Sequence, residues 1–162
     1  MEIYVLVEKA KSKMMSVLSI FCFVLAAFFL YASLLGLLLF FAVAVLFFAL
    51  GWFLKNRSLE FEYSYFDGDF RFAKIINKQK RKELTGYVAE HVIVIAPKGD
   101  RSIYKYENDS QVKKRDLTSG KKDAKVYAMV VKTEAGYQMT TFEPDDKYLD
   151  AVCIKYRQKV VR

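Results

Sequence analysis

Few residues in this sequence combine the type and spacing that catalysis requires. His91 is the single histidine, and it stands directly before the apolar run Val92–Ala96. A structural or surface role is expected of it rather than that of a general base. Asp67 and Asp69 flank Gly68, and two carboxylates around a glycine make a hairpin turn before they make an acid–base pair or a cation site. Cys22 lies in an apolar stretch and Cys153 near the C-terminus, with no CxxC spacing, so neither a mutual disulfide nor a zinc site is expected. No glycine-rich phosphate loop, nucleophile elbow or metal-ligand cluster occurs. The residues point away from an enzyme, and they call for no cofactor and no metal.

What remains is charge. Lys74, Lys78, Lys80, Arg81 and Lys82 crowd into residues 74–82, a density suited to anionic lipid headgroups or phosphate. The bland alternative is an exposed, solvated turn. A second cluster, Lys113-Lys114-Arg115 with Lys121 and Lys122, flanks Thr118-Ser119-Gly120. It suits a phosphate group, an acidic partner or solvent alone. Nucleic acid is the weakest partner. The 11 Tyr and 14 Phe fall at strand spacing, where rings build cores and rims rather than stacking platforms.

The elements that carry these residues divide sharply. Residues 14–54 contain no charged side chain, whereas all cations but Lys9, Lys11 and Lys13 follow Leu54. A single helix over that stretch would be about 60 Å long, twice the hydrocarbon thickness of a bilayer. Two spans are therefore expected, near Ser12–Tyr31 and Leu34–Leu54, broken around Tyr31-Ala32-Ser33-Leu34-Leu35-Gly36. A signal peptide has an apolar core of only about 7–15 residues, so this run is too long to be one. Lys9, Lys11 and Lys13 precede the first span, Lys55 and Arg57 follow the second, and the turn between carries no charge. The positive-inside rule then places both termini in the cytoplasm. The expected organisation is an N-terminal cytoplasmic segment, 1–13, a multi-pass hairpin in the cell membrane, 14–54, and a cytoplasmic domain, 55–162. Gly36 and Gly51 are expected to be ordinary turn or lipid-facing glycines, since no GxxxG occurs.

The cytoplasmic part reads as strands followed by one helix. Leu59–Tyr65 alternates apolar and polar residues, Asp67-Gly68-Asp69 reverses the chain, and Phe70–Asn77 reads as the partner strand. The polar run Lys78–Lys82 is expected to be a second turn. If the first strand stands upright on the membrane, that turn returns towards the headgroups. Glu83–Tyr87, Val92–Ala96, Ile103–Tyr106, Val112–Leu117, Lys125–Lys132 and Tyr137–Phe142 are further candidate strands. Glu143-Pro144-Asp145-Asp146 starts a helix over about 145–157, with Leu149, Val152, Cys153 and Tyr156 on one apolar stripe. Cys153 reads as a small buried hydrophobe of that stripe. Six or seven antiparallel strands and a terminal helix follow the order of a pleckstrin-homology-like (PH-like) barrel. The fold class expected is an α+β membrane protein, a two-helix hairpin followed by a PH-like antiparallel β-barrel or sheet capped by a C-terminal helix.

Several stretches resemble a family of small bacterial two-span membrane proteins of unknown function. They include Phe61–Asp69, Ile75–Lys82, Ile95-Ala96-Pro97, Thr118-Ser119-Gly120, Asp123-Ala124-Lys125 and Phe142-Glu143-Pro144. The resemblance covers nearly the whole chain and implies a two-span protein with a PH-like cytoplasmic domain; it brings no activity with it. The expected function is a non-enzymatic, membrane-anchored binding or scaffold module whose partners are the bilayer, anionic headgroups or an unidentified membrane or cytosolic protein. The alternative is an accessory subunit that meets a larger complex through its hairpin.

Overall fold

The computed structural model describes residues 2–36 and 38–162. Contacts divide the chain into two compact units, residues 11–58 and a second unit of the N-terminal residues through Ala10 together with residues 59–162. Residues 2–10 thus belong to the domain that follows the helices. The expectation of a separate segment 1–13 is corrected on this point: Ile3–Glu8 forms strand β1.

The helical unit is an antiparallel pair, α1 (Lys13–Leu34) and α2 (Leu39–Asn56). The break falls later than the expected one. Ser33 turns its hydroxyl back on the Leu30 carbonyl at 2.7 Å and stays helical. Gly36, at φ +93°, is the residue that ends α1, because the left-handed conformation there costs glycine little. The helices meet along small residues. Ser19, Cys22, Ala26, Ala44 and Gly51 are buried, and the Ser19 hydroxyl donates to the Gly51 carbonyl at 2.9 Å. Phe29 stacks on Phe47 at 5.7 Å between ring centres. A Cβ on Gly51 would lie 3.2 Å from the Phe23 ring and 3.3 Å from the Cys22 Cβ. Gly51 is a packing residue, not the incidental glycine expected.

The second unit is built on two four-stranded sheets. The first has the order β1–β2–β3–β4, all antiparallel, with β2 Leu59–Phe66, β3 Asp69–Ile76 and β4 Lys80–Val88. The second has the order β5–β7–β8–β6, with β5 Val92–Pro97, β6 Lys113–Asp116, β7 Tyr127–Thr133 and β8 Gly136–Phe142. Two expectations change here. β6 pairs parallel to β8, so the strands are not all antiparallel. The Ile103–Tyr106 stretch, expected as a strand, enters the short helix α3, Tyr104–Asn108. Ile103 and Tyr106 are buried there with Val112, Val130 and Met139 on the outer side of the second sheet.

The main core lies between the sheets. Phe61, Tyr63 and Tyr65 of β2 and Phe70 and Phe72 of β3 point inward at the period of two that alternation demands. Helix α4 (Asp146–Tyr156), starting within a residue or so of the expected point, adds Tyr148, Leu149 and Val152 to that core. Asp145 caps it, its carboxylate accepting the Tyr148 amide at 2.8 Å. The Tyr148 ring lies 6.2 Å from Tyr65 and 6.5 Å from Phe70, so α4 covers the core at the end of the sheet marked by the Asp67-Gly68 turn.

Candidate functional site

The basic run expected as a turn is mostly strand. Only Asn77, Lys78 and Gln79 form the turn between Ile76 and Lys80, the first two at positive φ, 53° and 56°, and the Gln79 amide donates to the Ile76 carbonyl at 3.2 Å. Lys80, Arg81 and Lys82 open β4, opposite Ile76, Ile75 and Lys74 of β3. Neighbouring residues of a strand face opposite ways, so the run separates into two sets.

Arg81 and Lys78 fall to the outer set. The Arg81 guanidinium makes a two-pronged pair with Glu62, Nε to Oε1 at 3.1 Å and Nη2 to Oε1 at 2.5 Å, which holds it still more firmly protonated. Lys78 lies 3.8 Å from Glu60. Arg81 is thus paired within the sheet, and Lys78, in the turn, has an acidic neighbour at ion-pair distance. Lys74, Lys80 and Lys82 share the inner face. Lys74 stands opposite Phe61 in the register and Lys80 follows the row of Leu59 and Ile76. Among the described residues these three lysines form no ion pair. They occupy the end of the inner face away from α4, where Phe61 closes the core. Lys9 joins them, its ammonium 5.7 Å from the centre of the Phe61 ring.

The same end of the sheet is where the chain departs for the helices and returns. The Lys9 amide donates to the Leu59 carbonyl and the Ala10 amide to the Ser119 carbonyl, each at 2.8 Å. The second basic cluster is therefore divided as well. Lys121 and Lys122 follow Ser119 and are exposed beside the departing chain. Lys113 and Lys114 lie elsewhere, and the Lys114 ammonium donates to the Glu107 carbonyl at 2.6 Å. Arg115 reaches across to the Leu84 carbonyl at 3.0 Å.

A polar network holds the 116–119 loop in place. Glu143 accepts from the Ser119 amide at 2.7 Å and from its hydroxyl at 2.9 Å. The buried Tyr63 hydroxyl donates to the Leu117 carbonyl, and burial raises the Tyr63 pKa. Burial also pushes the Asp116 carboxyl up, but the Thr118 hydroxyl and amide and the Thr141 hydroxyl donate to it. With Lys9 nearby, the net shift is downward. Sequence reasoning did not assign Lys9, Ser119 or Glu143 a place at this surface. The signal was present in Thr118-Ser119-Gly120 and Phe142-Glu143-Pro144, two of the stretches that carried the family resemblance.

The remaining candidates stay apart. His91 is exposed in a 3-10 turn, Ala89–His91. Asp67, at φ 45°, makes the β2–β3 turn and takes the Lys155 ammonium at 3.1 Å. Asp69 lies 3.8 Å from Arg71. Cys22 and Cys153 are free thiols. No metal-ligating group of His, Cys, Asp or Glu occurs among the described residues. An open cavity of about 520 Å³ beside α3 is lined by Lys98, Glu107, Lys114, Asp116, Met139 and Thr141 among others. Its carboxylates and Lys114 already have partners.

The family model described as Bacterial PH-like domain (DUF6106) matches residues 1–162. No curated protein and no solved structure matches the chain. The match takes in β1, the two apolar helices, both sheets and α4 as one sequence unit, and the chain belongs to this bacterial PH-like domain family.

Proposed function

We propose that this protein is a membrane-anchored binding or scaffold module: its two apolar helices cross the cell membrane as a hairpin, and its PH-like domain works on the cytoplasmic face without chemistry of its own. The observation that carries this reading is the position of the helices within the fold. They are an insertion between β1 and β2, strands that pair along their whole length from Ile3 with Tyr65 to Glu8 with Glu60. The chain leaves one strand and re-enters its neighbour a few ångströms away. A membrane segment with such ends makes an even number of crossings.

Exposure of the helices supports the same reading. Both are long and apolar enough to cross a membrane, yet only 17% and 11% of their apolar windows are buried. A core helix of a water-soluble protein would be mostly covered. Phe21, Phe28, Leu46 and Phe53 are instead more than half exposed, which water penalises by about 25 cal/mol per Å² and lipid does not. The flanking Lys9, Lys11, Lys13, Lys55 and Arg57 select the cytoplasmic side. Lys11 also donates to the Lys55 carbonyl at 3.0 Å, covering one of the free carbonyls at the end of α2.

Cysteine labelling in intact cells tests the topology. With Cys22 and Cys153 replaced, a membrane-impermeant maleimide should reach Leu35→Cys in the turn between the helices. It should reach Gln79→Cys only after lysis. Labelling of Gln79→Cys from outside would overturn the reading.

A further inference from the structure

The two basic clusters of the sequence are not two sites. The fold draws four lysines from the first part of the chain and a loop from the second to one end of the β domain. Lys9, Lys74, Lys80 and Lys82 lie on the inner-face rows of Phe61 and Leu59. Lys121 and Lys122 follow Ser119, whose carbonyl holds the Ala10 amide. We propose that these six lysines form the surface that receives anionic phospholipid headgroups, and that Lys78 and Arg81, although in the densest part of the basic run, do not belong to it. This rests on the membrane reading above and names the ligand and residues of that reading.

Three observations carry it. Four nearby acids are already engaged: Glu60 and Glu62 pair with Lys78 and Arg81 on the opposite face, Glu143 holds Ser119, and Asp116 accepts from Thr118 and Thr141. Chain connectivity supplies the second. Only Arg57 and Ser58 separate α2 from Leu59, so the Cα atoms of Asn56 and Leu59 are no more than about 11 Å apart. Lys80 lies two strands from Leu59, about 10 Å along the sheet. If α2 ends at a bilayer, these lysines are within reach of its headgroups. The third is desolvation. Phe61 is buried, with the Lys9 ammonium over its ring and Lys74 beside it in the register, so the Lys9 ammonium has an apolar floor on one side and only its outer side to satisfy.

Anionic lipid rather than a soluble acidic protein is the ligand because the spacing is imposed by the membrane tether itself. The test uses the full-length protein in nanodiscs of phosphatidylcholine, with and without added phosphatidylglycerol. Lysine acetylation is followed residue by residue by mass spectrometry. Phosphatidylglycerol should slow modification of Lys80, Lys82, Lys121 and Lys122 about fivefold or more, the factor expected for one headgroup interaction per lysine. High salt should restore the rate. Lys132 and Lys155 should be unaffected. The protection of Lys121 and Lys122 should vanish in a Lys74→Gln/Lys80→Gln/Lys82→Gln variant and persist in Lys78→Gln/Arg81→Gln. Equal rates in both discs would overturn the proposal, as would the reverse order of the two variants. Protection by inorganic phosphate in phosphatidylcholine discs would reassign the surface to a soluble anion and overturn it too. A chain that fails to enter discs at all would instead bring down the membrane reading, a result visible before any acetylation is measured.

Discussion

Lys9 donates its backbone amide to the carbonyl of Leu59 at 2.8 Å, across an insertion that contains both apolar helices. That contact extends the β1–β2 ladder by one hydrogen bond at the point where the chain leaves and re-enters the β domain. β1 contributes Ile3, Val5 and Val7 to the margin of the main core, and it supplies the hydrogen-bonding partner of β2.

The domain should therefore be separable from its helices only if β1 is kept. A variant in which a short glycine–serine loop replaces residues 11–58 is expected to be soluble and cooperatively folded, with near-ultraviolet circular dichroism indicative of packed tyrosines. A chain beginning at Leu59 loses three half-buried aliphatic residues, about 3 kcal/mol at half burial each, against total stabilities of about 5–15 kcal/mol. It also exposes the edge of β2. It should aggregate or unfold at far lower urea. Equal urea midpoints for the two would show that β1 is not integral.

Two buried tyrosines should respond oppositely to loss of their hydroxyls. Tyr63 bonds the Leu117 carbonyl, so Tyr63→Phe leaves a buried acceptor without a donor and should cost about 1–3 kcal/mol. The Tyr148 hydroxyl is fully buried without a hydrogen-bond partner among the described residues. Tyr148→Phe removes an unsatisfied group and should be neutral or stabilising by up to about 1 kcal/mol. Urea midpoints of the loop-joined variant read both. A strong loss in Tyr148→Phe would reveal a partner for that hydroxyl.

Close packing at Gly51 should control access to Cys22. Cys22 is buried, and its Cβ would lie 3.3 Å from any Cβ at position 51. Gly51→Leu forces the helices apart and should turn Cys22 from unreactive to readily alkylated in detergent, while Gly36→Leu, with open space around it, should leave Cys22 protected. Unchanged alkylation in Gly51→Leu would mean the two helices are not packed along this seam.

Asp116 should contribute to acid stability. Its folded pKa is lowered by the Thr118 and Thr141 donors and by Lys9, so its contribution is present above the pKa of the unfolded chain, about 3.9. It is lost as pH falls through the lower folded value. Asp116→Asn should lower the thermal midpoint at neutral pH and make little difference at the acid end. The side chain is largely open to solvent despite its partial desolvation, so the effect is small. A constant difference across the whole range would exclude this ionisation as the cause.

The chemistry of the side chains alone was enough for much of the plan. Residues 14–54, uncharged and too long for one crossing, declare two apolar helices, because length and hydropathy act locally. The alternation in Leu59–Tyr65 and Phe70–Asn77 reveals the hairpin, with an aspartate and a glycine where a positive φ is needed. The proline, the acids and the apolar stripe after Glu143 announce α4. What pairing decides was not legible. Ile3–Glu8 alternates like a strand, yet its partner lies beyond both helices, and a short segment before a basic flank reads equally well as a free end. β6 gives no sign that it runs parallel to β8, since direction depends on the neighbour rather than on the strand. Lys78–Lys82 looks like one basic turn until register shows which side chains share a face. The sequence determined that the chain is charged here and apolar there. Only tertiary structure decided which charges are cancelled and which remain free, because neutralisation is a property of distances between residues that meet when the sheet forms.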